Sequence, residues 1–129
     1  MKILLSPAKS LDFERSVPKT AFNHPQYLSK SLKIMDVLKE MKPSELETLM
    51  KVSSKLASLN WTRNQNWSNS YDQSQSRQAI FAFTGDVYQG LDVETLKEEE
   101  LTYIQKELRI LSGLYGMLKP LDYILPYRL

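Results

Sequence analysis

Cysteine is absent from the 129 residues, and histidine occurs once, at His24. The first absence excludes disulfides, thiolate metal sites, a cysteine nucleophile and any sensing of peroxide through a thiol in this segment. The second removes the familiar zinc spacings, which need a further histidine once cysteine is gone. His24 sits beside Pro25 and is expected to be a solvated surface residue. As the only histidine, it provides no serine with a recognisable activating partner. No glycine loop of phosphate-binding spacing occurs. Asp86, Asp92 and Asp122 read as isolated acids. Neither a catalytic constellation, nor a metal site, nor a cofactor is therefore expected. No apolar run approaches the roughly 18 residues of a membrane helix. The start, Met1 to Leu5, is too short for a signal peptide and runs straight into Ser6-Pro7, so the protein is expected in the cytoplasm, away from membranes.

What is present is the balance of a soluble globular domain, with 42% hydrophobic and 25% charged residues. The net charge of +2 is unevenly spread, with ten Lys/Arg against six Asp/Glu in residues 1–60 and seven against nine in 61–129. A basic first half hints at a polyanionic partner, although a solvated lysine surface gives the same count.

Apolar spacing organises the chain. Lys2–Leu5 is expected as a buried strand, followed by a loop at Ser6-Pro7-Ala8-Lys9 and an irregular arm over 11–24. Leu28, Leu32, Met35 and Leu38 fall on one face of a helix from about Gln26 to Met41, with Lys30, Lys33 and Lys39 off that face. Pro43 suits the first turn of the next helix, and Ser44 with Glu47 has capping-box spacing; only one of these can set the boundary. That helix ends near Met50. After a tight connection, another helix runs from Lys55 to about Asn66, with Leu56, Leu59 and Arg63 on one side and Trp61 partly buried. Residues 64–76 read as a polar loop. Ala79–Phe83 is a continuous apolar run expected as a strand buried on both faces, broken by Gly85, and Asp86–Leu91 reads as one helical turn. Thr95 to about Leu108 is expected as a helix whose Glu98, Glu99 and Glu100 complement the helix dipole. Arg109–Tyr115 either extends that helix or begins a strand. Strands mixed irregularly with helices indicate an α+β fold, a small mixed sheet with surrounding helices.

The stretch Ser44–Arg63 carries most information about binding. Two short helices with a very tight joint are the ingredients of a helix-hairpin-helix unit, whose hairpin reads hydrophobic-x-Gly-hydrophobic-Gly-x-Lys-x-Ala. Here Met50-Lys51-Val52-Ser53-Ser54-Lys55-Leu56-Ala57 keeps Val52, Lys55 and Ala57 and departs at both glycines, with Lys51 and Ser53 in their place. Backbone amides at such a helix start carry the positive end of the dipole and seat a phosphate. Lys51 and Lys55 add charge, and Ser53 and Ser54 add hydroxyl donors. A plain helical hairpin packed on the core also fits these residues. Lys9, in a loop leaving a strand, is a second candidate phosphate contact. A turn with a solvated lysine fits there as well. Leu111-Ser112-Gly113-Leu114-Tyr115-Gly116 matches the hairpin pattern superficially, but Pro120 follows too soon for a second helix, so it reads as a turn.

Several segments together resemble the YaaA family of peroxide-stress proteins. They are Ile3 to Asp12 (ILLSPAKSLD), Leu49 to Ala57 (LMKVSSKLA), Phe83 to Leu91 (FTGDVYQGL), and Leu108 to Gly116 (LRILSGLYG) continuing through Lys119-Pro120-Leu121-Asp122 to Pro126-Tyr127-Arg128-Leu129. They span the chain in the family's order. Family members are longer, so the chain is expected to be the amino-terminal portion of one larger domain. Any cleft shared with the remainder is then expected to be incomplete. The resemblance implies a mixed α/β fold, a positively charged cleft, a helix-hairpin-helix motif and binding to double-stranded or distorted DNA. It also implies protection from hydrogen peroxide and from intracellular iron. By position it carries the hairpin onto Lys51–Lys55 and marks Lys9, Arg109, Lys119 and Arg128 as further basic members.

Three functions follow as expectations. The first is a DNA binder indifferent to sequence, using Lys9, Lys51, Ser53, Ser54 and Lys55. The second is an enzyme on a nucleotide or damaged base, with Lys9 and a nearby acid in a basic pocket. The third is an iron-handling protein, which the missing cysteines and the single histidine disfavour.

Overall fold

The computed structural model describes residues 2–129. The fold is α+β: among the described residues, six helices surround a three-stranded sheet and a two-stranded ribbon. The first strand, β1 (Ile3–Leu5), pairs in parallel with β3 (Leu108–Ser112), and β3 turns back antiparallel onto β4 (Gly116–Leu118). A short β2 (Arg77–Gln78) pairs antiparallel with β5 (Tyr123–Ile124). Among the described residues no helix is long and apolar enough to cross a membrane.

Helix α1 (Leu28–Lys39) buries Met35 and Leu38 and half-buries Leu28 and Leu32, as its spacing requires. Ser31 lies within the same stripe because its hydroxyl donates to the Leu114 carbonyl at 2.9 Å, tying α1 to the β3–β4 turn. Pro43, not the Ser44–Glu47 pair, opens α2 (Pro43–Met50). Its missing N–H is one that the first turn leaves unpaired in any case, and the Lys42 N–H donates back to Glu45 Oε1 at 3.0 Å.

Helix α3 (Ser54–Asn66) presents a different side inward from the one its leucines mark. Ala57, Asn60 and Asn64 are buried, while Leu56, Leu59 and Trp61 are exposed, Trp61 by 39%. A small residue and two amides let α3 pack closely. Asn60 is satisfied within its own helix, its Nδ2 donating to the Leu56 carbonyl at 2.8 Å and its Oδ1 accepting from Arg63. The large apolar anchor comes one turn later, at Trp67, in the segment read as a polar loop.

The apolar run Ala79–Phe83 is fully buried, as expected, but it is not a strand. It forms a single helical turn, α4 (Ala79–Ala82), directly after β2. Burial on all sides suits either conformation, and a run this short has no periodicity to choose between them. Backbone partners decide: the Ala79 and Ile80 amides donate to the Asp122 and Pro120 carbonyls at 2.8 and 2.9 Å, and the Phe83 amide closes back on Ala79. After α5 (Asp86–Leu91) and a 3-10 turn at Val93–Thr95, helix α6 (Glu98–Glu107) opens with its three glutamates. It ends at Glu107, as expected, with Leu108 both its C-cap and the first residue of β3.

Strand β1 is also less covered than expected, with Leu4 58% exposed. It is an edge strand. Register and pleat put Leu4, Arg109, Leu111 and Met117 on one face of the sheet, and Leu4, Leu111 and Met117 all remain open there. The opposite face carries Ile110 and Leu118 into the core. At the centre, Trp67 Nε1 donates to the Tyr115 hydroxyl at 2.9 Å, and that hydroxyl also accepts the Leu125 amide at 2.9 Å.

Candidate functional site

The α2–α3 hairpin is built by two local devices. Helix α2 ends because Lys51 adopts the left-handed conformation (φ 54°, ψ 51°), and the Val52 amide reaches back to the Glu47 carbonyl at 3.3 Å. Helix α3 begins at Ser53, whose hydroxyl accepts the Leu56 amide at 3.2 Å. The two departures from the glycine pattern therefore have different weight. Lys51 takes the positive φ that glycine would take freely, which costs a non-glycine residue roughly 1–2 kcal/mol. Ser53 sits at φ −65°, open to any residue, so no glycine is required there.

Met50 and Val52 pack against the core and fix the hairpin's inner side. Lys51, Ser53, Ser54 and Lys55 are all exposed on its outer side. The first-turn amides of α3 project past the helix end, as such amides must, so two ammonium groups and two hydroxyls surround a helix start. Neither Lys51 nor Lys55 forms an ion pair among the described residues. At the other end of α3, burial first, and then the nearby Arg128 guanidinium, pulls Arg63 down from its usual value.

Lys9 belongs to a different neighbourhood. It is exposed in the loop after β1. That loop packs on the 83–88 segment: Tyr88 Oη donates to the Ser6 carbonyl at 2.6 Å, the Thr84 amide to the Ser10 carbonyl, and Ala8 lies against Gly85. Two of the sequence segments thus meet each other here, not the hairpin.

A second polar cluster was not visible in the sequence. A cavity of about 300 Å³ is lined by Asn23 and His24 of the amino-terminal arm, Gln105 of α6, Arg109 of β3, and Lys119 and Asp122 of the β4–β5 turn. His24 is exposed but held by edge-on ring contacts with Phe22 and Tyr71. Asp122 is only 4% exposed; its Oδ2 accepts the Lys119 amide at 2.8 Å, and burial pushes its carboxyl above the usual range. Far from isolated, it lies among Lys119, Arg109 and His24. The resemblance marks Arg109 and Lys119 as basic positions, but nothing in their spacing joins them to His24 and Asp122. Among the described residues no group of three or more His, Asp or Glu could hold a metal ion.

Comparison with known proteins gives the family. The model of the family described as "Peroxide stress protein YaaA" matches residues 1–129. A UPF0246 protein of Flavobacterium psychrophilum is 50% identical over 129 residues, covering 100% of this chain and 51% of its own length. UPF0246 proteins of Aliivibrio fischeri and Shewanella baltica are likewise 50% identical over the whole chain and 50% of their own lengths. The chain spans about half the length of these relatives, and it belongs to the YaaA family of peroxide stress proteins.

Proposed function

We propose that the chain binds double-stranded or distorted DNA through its phosphates at the α2–α3 hairpin, as part of a cytoplasmic defence against peroxide. The observation that carries this reading is the αL-terminated hairpin, which turns Lys51, Ser53, Ser54 and Lys55 outward around the start of α3 while Met50 and Val52 anchor it. The helix start supplies amides and positive dipole, and the lysines supply charge. None of these groups reads a base edge, so the contact positions the protein without choosing a sequence. Membership in a family of peroxide stress proteins supports the cellular setting.

The test is a salt series of binding to a bubble-containing duplex, run on this chain and on a full-length relative. Affinity should fall linearly on a log–log plot, by about 0.9 in slope for each phosphate contacted. Lys51→Glu with Lys55→Glu should flatten that slope by roughly 2 and weaken binding at low salt. An unchanged affinity in the double variant would remove the hairpin from the interface. Binding by the full-length relative alone would make the hairpin a scaffold for a site built elsewhere.

A further inference from the structure

We infer that the cavity between the amino-terminal arm and the β4–β5 turn is a separate binding site for a small phosphate monoester that carries hydrogen donors, such as a nucleoside or sugar monophosphate. Two cationic side chains, Arg109 and Lys119, enter one cavity from different elements, and neither forms an ion pair among the described residues. Arg109 is pre-set, because its Nη1 donates to the Gln105 and Leu108 carbonyls at 2.8 and 2.7 Å. A planar guanidinium fixed at one nitrogen keeps further donors for the paired oxygens of a phosphate.

The buried acid narrows the ligand. A bare phosphate would gain from Arg109 and Lys119 but meet the Asp122 carboxyl as a like charge. A ligand that brings a hydroxyl or amino group beside its phosphate turns that carboxyl into an acceptor. Gln105 and Asn23 add amide groups to the same wall; Gln105 Oε1 is taken by the Leu121 amide at 2.8 Å, which leaves its NH2 to donate. Size points the same way. About 300 Å³ is the lower end of small-ligand sites and cannot admit a duplex. The terminal dianion of a monoester also matches a compact pair of cations better than the single charge of a chain phosphate does. This site does not rest on the hairpin reading, since the two share no residue.

The experiment is calorimetric titration of the 129-residue chain with AMP, ribose 5-phosphate, adenosine and inorganic phosphate, at low salt. AMP or ribose 5-phosphate should bind at least tenfold more tightly than inorganic phosphate, and adenosine should not bind. Arg109→Gln and Lys119→Gln should each weaken the monoester at least fivefold, and Arg109→Lys should restore part of the loss. Asp122→Asn should weaken AMP and ribose 5-phosphate while leaving inorganic phosphate unchanged or improved. Lys51→Glu with Lys55→Glu should leave all four titrations as they were. Equal or absent binding of the four probes, or Gln variants that bind as well as the parent with unchanged circular dichroism, would overturn the site. A 5′-phosphorylated oligonucleotide that outcompetes AMP would assign the monoester to a DNA end; failure to compete assigns it to a free metabolite.

Discussion

The α2–α3 hairpin and the cavity beside β3 present polar groups in opposite ways. The hairpin is local and convex: its groups are consecutive in sequence, and backbone geometry at Lys51 and Ser53 turns them outward. The cavity is non-local and concave, drawing on the arm, α6, β3 and the β4–β5 turn. A convex tip with free lysines suits a long polyanion that slides across it. A concave cluster that mixes cations with a buried acid suits one small molecule held in one pose. The same difference governs robustness. On the proposed reading, changes at the tip should alter binding at a stability cost of about 1 kcal/mol or less, whereas the cavity exists only if the sheet side of the fold is intact.

The largest effect should come from the core, the non-local part of the molecule on which the cavity side depends. Tyr115 is fully buried, meets Trp67 and Tyr127 through its ring, and ties Trp67 and Leu125 through its hydroxyl. Tyr115→Ala should cost about 3–5 kcal/mol by urea denaturation. Tyr115→Phe should cost about 1–3 kcal/mol, because the Trp67 indole and the Leu125 amide lose their acceptor in a buried place. A cost for Tyr115→Phe near zero would show that this network is not what holds the β4–β5 segment.

Next comes pH. Burial raises the Asp122 carboxyl above its ordinary 3.8, so the folded state binds this proton more readily than the unfolded chain does. Its contribution to stability is full below 3.8, is lost as pH rises from there through the raised folded value, and stays lost above it. Asp12 and Asp72 run the other way. Backbone amides of Glu14 and Arg15 hold Asp12 below 3.8, and Ser74, through its hydroxyl and its amide, holds Asp72 there, so their contributions vanish as pH falls through those lowered values. Thermal melts of the parent and of Asp122→Asn between pH 3 and 7 separate the two trends. The parent's stability relative to the variant should decline with rising pH above about 4, and a flat difference would refute a raised Asp122.

The hairpin was largely legible in the sequence because everything in it is local. Pro43 announces the start of α2, the leucine and methionine spacing gives α1, and the run Lys51-Val52-Ser53-Ser54 falls at the expected joint between α2 and α3. What failed was decided at long range. Ala79–Phe83 is helical because Asp122 and Pro120 offer carbonyls to its first amides. Leu56 and Leu59 point outward because the neighbours of α3 leave room for Ala57 and two asparagines. The cavity was invisible because His24, Arg109, Lys119 and Asp122 carry no common spacing, and only the pairing of β3 with β4 and of the arm with the β4–β5 turn assembles them. A lone histidine and a lone acid are uninformative until the fold places them side by side.

Two smaller substitutions sharpen the contrast from the hairpin side. Ser53→Ala removes the acceptor for the Leu56 amide and should lower stability by about 1 kcal/mol. Lys51→Gly should do the reverse. Lys51 is held at φ 54°, a conformation that L side chains enter at a cost and glycine enters freely. The gain is partly cancelled because glycine also loosens the unfolded chain, so the net should be a few tenths to about 1 kcal/mol of added stability. The same change deletes one ammonium group from the tip, so duplex binding should weaken and its salt slope should flatten by about 0.9. Stability and affinity therefore move in opposite directions at one residue. A protein that kept a strained lysine for no purpose would gain stability in this variant and lose no affinity. Denaturation and a salt series on Lys51→Gly together decide whether the strain at the tip is kept for phosphate.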